Sequence, residues 1–467
     1  MKLRINNLGA IKEGTIDLSK RINLFCGYNG TGKTYLSYVI YGLLKKHFHL
    51  RSNDELADRL INNHTATEEI DFELLQNYKK EMLSSVKKNI DTIFGIGVDV
   101  AEKLFSGFDI EYDDTDDDIK QDITKASFYG ESFIQGVNIS IEKKSGDSFV
   151  SLQILDTNIP NDAINGVRLL LKSFIYYTLA LYPISGVEVF PVERNSIYTF
   201  SRELSIRKQE AMDNLQLLID KDKQISKFDL FFNSKRYPLP VKDGLVVAED
   251  LGEFKKSRSK YYDFAEKLEA DLLAGKVLIS SEGEIQFCPM KSPRTVLPIQ
   301  MTASIIKTLS SLVVYLKHIA KSNDLIIIDE PEINLHPDNQ ILLARLFARL
   351  ANAGFRLLIS THSDYIIREF NNLVMVSHKD NQTVQKVAES FGYQEDEFIN
   401  EKDLAVCFFS YKTKKSKQVV ISNVTVDEYG FSVKSIDDVI DSQNRMTENL
   451  YYSLKYGAED GTDGQDE

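Results

Sequence analysis

Residues 325–337 read LIIIDEPEINLHP, and the reading of this stretch decides the fold. Leu325 to Ile328 form a continuous apolar run, the kind that fills a strand buried on both faces. Asp329 and Glu330 follow where such a strand ends, at the carboxyl edge along which α/β sheets bind ligands. There the first acid can hold Mg²⁺, usually through water, and the second can orient a water against a γ-phosphate. A buried strand ending in two acids is common on its own, so its weight comes from the rest of the chain.

Residues 27–34, GYNGTGKT, match G-x-x-x-x-G-K-[ST] in full. RINLFC before them reads as a strand and YLSYVIYGLLKK after them as a helix. The glycines let backbone N–H groups turn inward around phosphate oxygens without Cβ clashes. The residues expected to bind nucleotide are Asn29, Gly30, Thr31, Gly32, Lys33 and Thr34. Lys33 reaches the β- and γ-phosphates, Thr34 ligates Mg²⁺, and the helix N-terminus adds its dipole. A P-loop between strand and helix, paired with a strand-borne Asp-Glu downstream, points to ATP with Mg²⁺, Asp329 sharing the metal with Thr34.

A chain of 467 residues can hold two or three domains. Hydrophobic residues at 43% and charged ones at 27% are ordinary for a soluble globular protein. No apolar stretch approaches the roughly 20 residues that span a bilayer, and MKLRINNLGAIKEG lacks a signal peptide's apolar block. Cys26, Cys288 and Cys407 show neither metal spacing nor a paired framework. A cytoplasmic, membrane-free protein is expected. The net charge of −13 argues against a surface that coats nucleic acid without specificity. The basic runs KKSRSK (255–260) and KTKKSK (412–417) read as solvated loops, as does the acidic EYDDTDDD (111–118). The tail GAEDGTDGQDE (457–467) reads as disordered.

The expected fold is α/β, a mixed sheet carrying the P-loop, with an antiparallel β layer and helical insertions. Residues 1–45 hold the entry strands and the P-loop, 46–135 read as a helical insertion, and 136–200 return to strands and a helix. Residues 201–275 read as a second helical insertion, too short and too poor in apolar heptad positions for a long coiled coil. The second half of the nucleotide fold occupies 276–400, and 401–456 form a C-terminal α/β segment. After the acidic strand, NQILLARLFARLANAG reads as a helix that Gly354 stops, and FRLLIST as a strand that ends at His362. A histidine there can reach a γ-phosphate across the same sheet edge.

With these pieces in place the chain resembles ATP-binding-cassette-like ATPases of the RecF, SMC and OLD type, and more closely bacterial ATPases of the AAA_15 and AAA_21 kind. The matching stretches are GYNGTGKT, LPIQMTASIIKTLSSLVVYLKHIA, LIIIDEPEINLHPDNQ and NAGFRLLISTHSDYIIREFNNLVMV. DEYGFSVKSIDDVIDSQNRMTENLYYSL near the end also looks like that group's tail. The resemblance implies an ABC-type ATPase head. In it Lys33 and Thr34 are the Walker A pair, Asp329 the Walker B metal residue, Glu330 the catalytic acid and His362 the switch histidine. It further implies a D-loop at Asn334 to Asp338, a signature serine at Ser304 departing from the LSGGQ of transporters, and Arg194 as a weak Q-loop candidate. Two such subunits placed head to tail sandwich each ATP, so the resemblance implies a homo-oligomer through the nucleotide face.

Two functions fit this resemblance. In the first, the chain is a slow ATPase and sensor subunit of a phage-defence system such as PARIS or Septu. It then controls a separate effector, a nuclease, and responds to a phage-protein trigger. Only 105 residues follow His362, and none of their strands ends in a D-x-D pair, so no nuclease activity of its own is expected. In the alternative it is a RecF- or SMC-like repair or recombination ATPase that acts on DNA directly.

Overall fold

The computed structural model describes residues 1–45, 54–134, 136–156, 159–160, 163–199, 237–378, 381–413 and 416–456. The chain opens with β1 (Lys2–Leu8), β2 (Ile11–Asp17) and β3 (Ile22–Gly27), and α1 (Lys33–Leu44) follows the P-loop. Next come β4 (Thr65–Glu69), β5 (Asp109–Tyr112), β6 (Phe128–Ile134), β7 (Val137–Lys143) and β8 (Phe149–Ile154), then α2 (Ala163–Leu181) and β9 (Val187–Phe190). After α3 (Leu239–Glu249) come β10 (Gly275–Ile279), β11 (Ile285–Pro289), β12 (Leu297–Pro298) and α4 (Ser304–His318). The last part holds β13 (Leu325–Asp329), α5 (Pro337–Asn352), β14 (Arg356–Ser360), α6 (Asp364–Met375), β15 (Leu404–Tyr411), β16 (Val419–Val424) and α7 (Lys434–Tyr456).

Among the described residues the strands form a nine-stranded mixed sheet, ordered β5-β1-β2-β16-β15-β3-β14-β13-β9. From β15 to β9 neighbouring strands run parallel, whereas β1 with β2, β1 with β5 and β15 with β16 are antiparallel. A four-stranded antiparallel sheet, β4-β8-β7-β6, and a three-stranded one, β10-β11-β12, form separate layers. This is the mixed α/β ATPase-head architecture expected.

Alternation along the central strands explains why helices cover both faces. Leu325 and Ile327 of β13, with Phe25 and Leu358, pack into the core that includes Leu36, Val39 and Ile40 of α1 and Phe174 and Ile175 of α2. Ile326 and Ile328, with Leu24, Leu357 and Ile359, face the opposite core, built by Leu309, Val313 and Leu316 of α4 and Leu346, Phe347 and Leu350 of α5. All four apolar residues of β13 are buried, so the unbroken run in the sequence is what this strand's position requires.

Three local readings change. The stretch 46–135 is not helical throughout, because β4, β5 and β6 lie in it and β5 extends the main sheet beside β1. Strands as short and polar as TATEE and DIEY, five and four residues long, give too little alternation to reveal a strand in sequence. EYDDTDDD is not a loop alone. It ends β5, and Thr115 then caps the helix Asp116–Lys125 in a reciprocal capping box with Asp118. Residues 404–424, read as a C-terminal α/β segment after the nucleotide fold, are part of the main sheet, since β15 pairs directly with the P-loop strand. The tail from 457, and residues 200–236 of the second insertion, lie outside the described residues.

β15 packs so closely on the P-loop strand that Gly27, with φ +132°, has no room for a side chain: a Cβ there meets the Phe409 carbonyl oxygen at 2.1 Å. Gly27→Ala is expected to destabilise the protein by about 2–5 kcal/mol, adding backbone strain to a steric clash. Denaturant unfolding checks this; a loss below about 0.5 kcal/mol, the range of an ordinary surface substitution, would contradict the close approach.

Candidate functional site

The carboxyl ends of β3, β14 and β13 lie side by side. The register aligns Phe25 with Ser360 and Ser360 with Asp329, and backbone bonds continue it one step further: Thr361 N–H donates to the Phe25 carbonyl and Glu330 N–H to that of Ser360, both at 2.9 Å. The strand ends thus bring the P-loop, the Asp-Glu pair and His362 together.

The P-loop turns through Gly30 (φ +71°) and Gly32 (φ +91°) into α1, whose first turn has no side-chain cap. Its N–H groups are those that receive a phosphate in such loops. Thr31 is buried, its hydroxyl donating to the Tyr28 carbonyl at 2.7 Å. The Lys33 ammonium, also buried, donates to the carbonyls of Tyr28 at 2.9 Å and Gly27 at 3.2 Å. Burial lowers its pKa to about 8, against the opposing pull of Cys26, Glu330, Asp329 and Glu332. Cys26 is a core residue whose thiol burial pushes up to about 12.

Asp329 is fully buried and accepts a hydrogen bond from the Ser360 hydroxyl, and the Thr34 hydroxyl nearby also favours its ionised form. Its Oδ2 is buried with no hydrogen-bond partner. Burial raises its pKa and the hydroxyl donors oppose the rise. Glu330 takes a left-handed backbone (φ +43°), rare for a residue with a Cβ. Its Oε1 lies 3.8 Å from His362 Nε2. Burial, then neighbouring Glu332, raises its pKa, while Lys33 and Arg194 lower it. Burial and then the Lys33 charge lower His362 to about 4, against a hydrogen bond to the Gly27 backbone, so at neutral pH the imidazole is uncharged. A buried ammonium, a carboxylate with an open oxygen, a second carboxylate at the surface and a neutral histidine can bind a polyphosphate and activate a water beside it.

Ser304, first residue of α4, is half-buried and takes part in none of these hydrogen bonds. In the expected D-loop Asn334 is left-handed (φ +63°) and exposed, and exposed His336 caps α5. Arg194 departs from the reading as a Q-loop equivalent: its buried guanidinium binds the carbonyls of Asp329 and Glu330 from behind. Sequence reasoning named Glu332 only as the acid to suspect should Glu330 prove dispensable, and the structure gives it a different role. Its Oε1 accepts from Thr361 Oγ1 at 2.8 Å and from His362 N–H at 2.6 Å, pinning the histidine's backbone. The available signal was the second acid of DEPE, two residues after Glu330. The basic run at 255–260 is occupied internally: Lys255 bonds the Ile279 carbonyl, Lys256 pairs with Glu253, and Arg258 with Asp263.

A family model described as an AAA ATPase domain, AAA_15, matches residues 1–367. No curated protein sequence matches the chain. Among solved structures the chain is similar to an SMC head bound to the C-winged helix domain of ScpA (TM-score 0.37, 11% identity, 91% of this chain and 98% of that one). It is also similar to an Smc head with an extended coiled coil, bound to the C-terminal domain of ScpA derived from Pyrococcus furiosus (TM-score 0.36, 12% identity, 95% and 98%). A third is the SMC head domain from Thermotoga maritima (TM-score 0.31, 12% identity, 91% and 98%). The expectation of an antiviral sensor with a nuclease effector and a phage-protein trigger is set aside: the matching family model is that of an AAA ATPase domain, and the solved structures named here are SMC heads. Among the described residues no helix is long and apolar enough to cross a membrane.

His362 makes the site a source of acid sensitivity. With a folded pKa near 4 and an ordinary value of 6.5, the unfolded state binds the extra proton first between those limits. Stability contributed by this residue is therefore present above about pH 6.5 and lost as pH falls toward 4. Chemical denaturation from pH 7 to 4 is expected to show a shallower decline in His362→Gln than in the native chain. Identical slopes would mean that the imidazole is not held neutral by its surroundings.

Proposed function

The chain belongs to the AAA ATPase domain family, AAA_15, whose model spans residues 1–367, and on that premise we propose that it is a RecF- or SMC-like ATPase head that couples ATP hydrolysis to action on DNA. It is an ATP-binding and ATP-hydrolysing protein of mixed α/β head architecture. The observation that carries the reading is the convergence of Lys33, Thr34, Asp329, Glu330 and His362 at three adjacent strand ends. In this proposal Asn29 to Gly32 wrap the phosphates with backbone N–H groups and Lys33 neutralises the β- and γ-oxygens. Thr34 and Asp329 hold Mg²⁺, for which the open, buried Asp329 Oδ2 and the Thr34 hydroxyl form a suitable hard-oxygen pair. Glu330 orients the attacking water, and neutral His362 donates a hydrogen bond to the γ-phosphate side.

Ser304 opens a helix and stands apart from this hydrogen-bonded cluster. We assign it, with the Asn334 to Asp338 loop, whose Asn334, His336 and Asp338 are exposed, to contact with the ATP held by a second copy. A hydroxyl and a helix N-terminus are suited to a γ-phosphate. Nucleotide state then sets assembly state, because ATP adds to the contact and its loss removes it.

Lys33→Ala is expected to weaken ATP binding roughly tenfold to a hundredfold, the worth of a charge-assisted phosphate contact; calorimetric titration reads it, and unchanged affinity removes the P-loop assignment. Glu330→Gln is expected to bind ATP normally and turn it over about 10²–10⁴-fold more slowly. Near-native turnover in that variant shifts the hydrolytic role elsewhere.

Sedimentation of Glu330→Gln with ATP is expected to show a dimer that Ser304→Arg lacks, with double-stranded DNA raising native turnover. A monomer under every nucleotide condition removes the second-copy contact, and turnover indifferent to DNA removes the DNA reading.

A further inference from the structure

The hydrogen-bond ladder of β13 has an incomplete side. Toward β14 it continues past the strand, because Glu330 N–H bonds the Ser360 carbonyl. Toward β9 the pairing stops at Ile328 with Phe190, where Pro191 turns the chain away. The carbonyls of Asp329 and Glu330 lie just beyond that stop, and buried backbone acceptors need partners. Arg194 supplies them: Nη1 donates to the Asp329 carbonyl at 2.8 Å and to that of Pro191 at 3.1 Å, and Nη2 to that of Glu330 at 3.1 Å. The side chain is only 2% exposed and lines a small cavity with Phe190, Leu312, Ile328 and Phe347, mostly apolar walls in which the Thr308 hydroxyl is the one polar side-chain group besides the guanidinium.

We propose that Arg194 is a positioning residue for hydrolysis, its planar fork replacing the missing strand and holding Glu330 in the left-handed backbone that turns its carboxylate toward His362. Two bonds on consecutive carbonyls fix the two peptide planes that flank the Glu330 Cα, and those planes set where the Glu330 side chain leaves the backbone. A left-handed residue with a Cβ is strained and persists only where its surroundings hold it. The guanidinium is suited to this because its donors diverge in one rigid plane, whereas a lysine ammonium is a point donor on a flexible stem. Its charge also lies beside Asp329 and Glu330 and favours their ionised forms. The proposal rests on the reading of Glu330 as the hydrolytic acid, and that reading is tested separately by Glu330→Gln alone.

Arg194→Met, Arg194→Lys and each combined with Glu330→Gln are compared by ATP titration and by single-turnover hydrolysis. Arg194→Met is expected to lower the hydrolysis rate about a hundredfold, as a misplaced group does, while nucleotide Kd moves less than about threefold. Arg194→Lys is expected to recover part of that loss. The double variants are expected to be no slower than Glu330→Gln alone, because a group that acts through Glu330 has nothing left to position. A hydrolysis rate unchanged in Arg194→Met overturns the proposal, as do losses that multiply with those of Glu330→Gln and a fall in affinity equal to the fall in rate. Where Arg194→Met does not fold, Arg194→Lys carries the same comparison, and a native rate in it overturns the proposal equally.

Discussion

The parallel register of β13, β14 and β3 is the constraint on which everything else in the site depends. Side chains alternate with a period of two, so a one-residue slip of β13 would turn Asp329 into a helix layer and an isoleucine toward the P-loop. Burial on both faces prevents the slip, since Leu325 and Ile327 fit one core and Ile326 and Ile328 the other. The same register sets the Asp329 carboxylate against the Ser360 hydroxyl, and backbone pairing beyond it carries Glu330 and Thr361 forward together. The site inherits its geometry from hydrophobic packing one strand length away.

Charge within that geometry is arranged ahead of any ligand. Asp329, Glu330 and Glu332 are crowded together, and burial favours the protonated form of the first two. Hydroxyl donors on Asp329, from Thr34 and Ser360, and the cations Lys33 and Arg194 around Glu330, favour the ionised forms. Glu332 is spent on the backbone of His362 and on Thr361, which leaves Glu330 the acid that faces outward. Such preorganised polar groups do not have to rotate into place when charge develops, the usual source of electrostatic catalysis.

Much of this was legible in the sequence because it follows short-range rules. An apolar run of four followed by two acids, a glycine loop between strand and helix, and a histidine ending the next strand each need only a few residues to be recognised. What stayed hidden depends on contacts distant in sequence. Arg194 precedes the carbonyls it holds by 135 and 136 residues, and no local pattern marks an arginine that donates to backbone. Glu332 lies two residues after Glu330, yet only the fold shows that it grips the next strand's end. The strands β4 and β5 were hidden for another reason: their polar, four- or five-residue segments derive their pairing from neighbouring strands and not from their own propensity.

The two basic runs, alike as sequences, separate once packed. In the first, Lys255, Lys256 and Arg258 are tied to the Ile279 carbonyl, Glu253 and Asp263, so their charge is largely answered within the chain. The second follows β15, which runs parallel to β3, so its turn lies at the same sheet edge as the P-loop. Tyr411 at the end of β15 stacks on Tyr28 and donates its hydroxyl to the Asn29 carbonyl at 3.3 Å. Beside it Lys412 and Lys417 are exposed. On a protein with a net charge of −13, long-range attraction of a polyanion is weak, and contact must be local and specific in place. Lys412 and Lys417 thus sit on a hairpin that an aromatic stack and one hydrogen bond join to the P-loop.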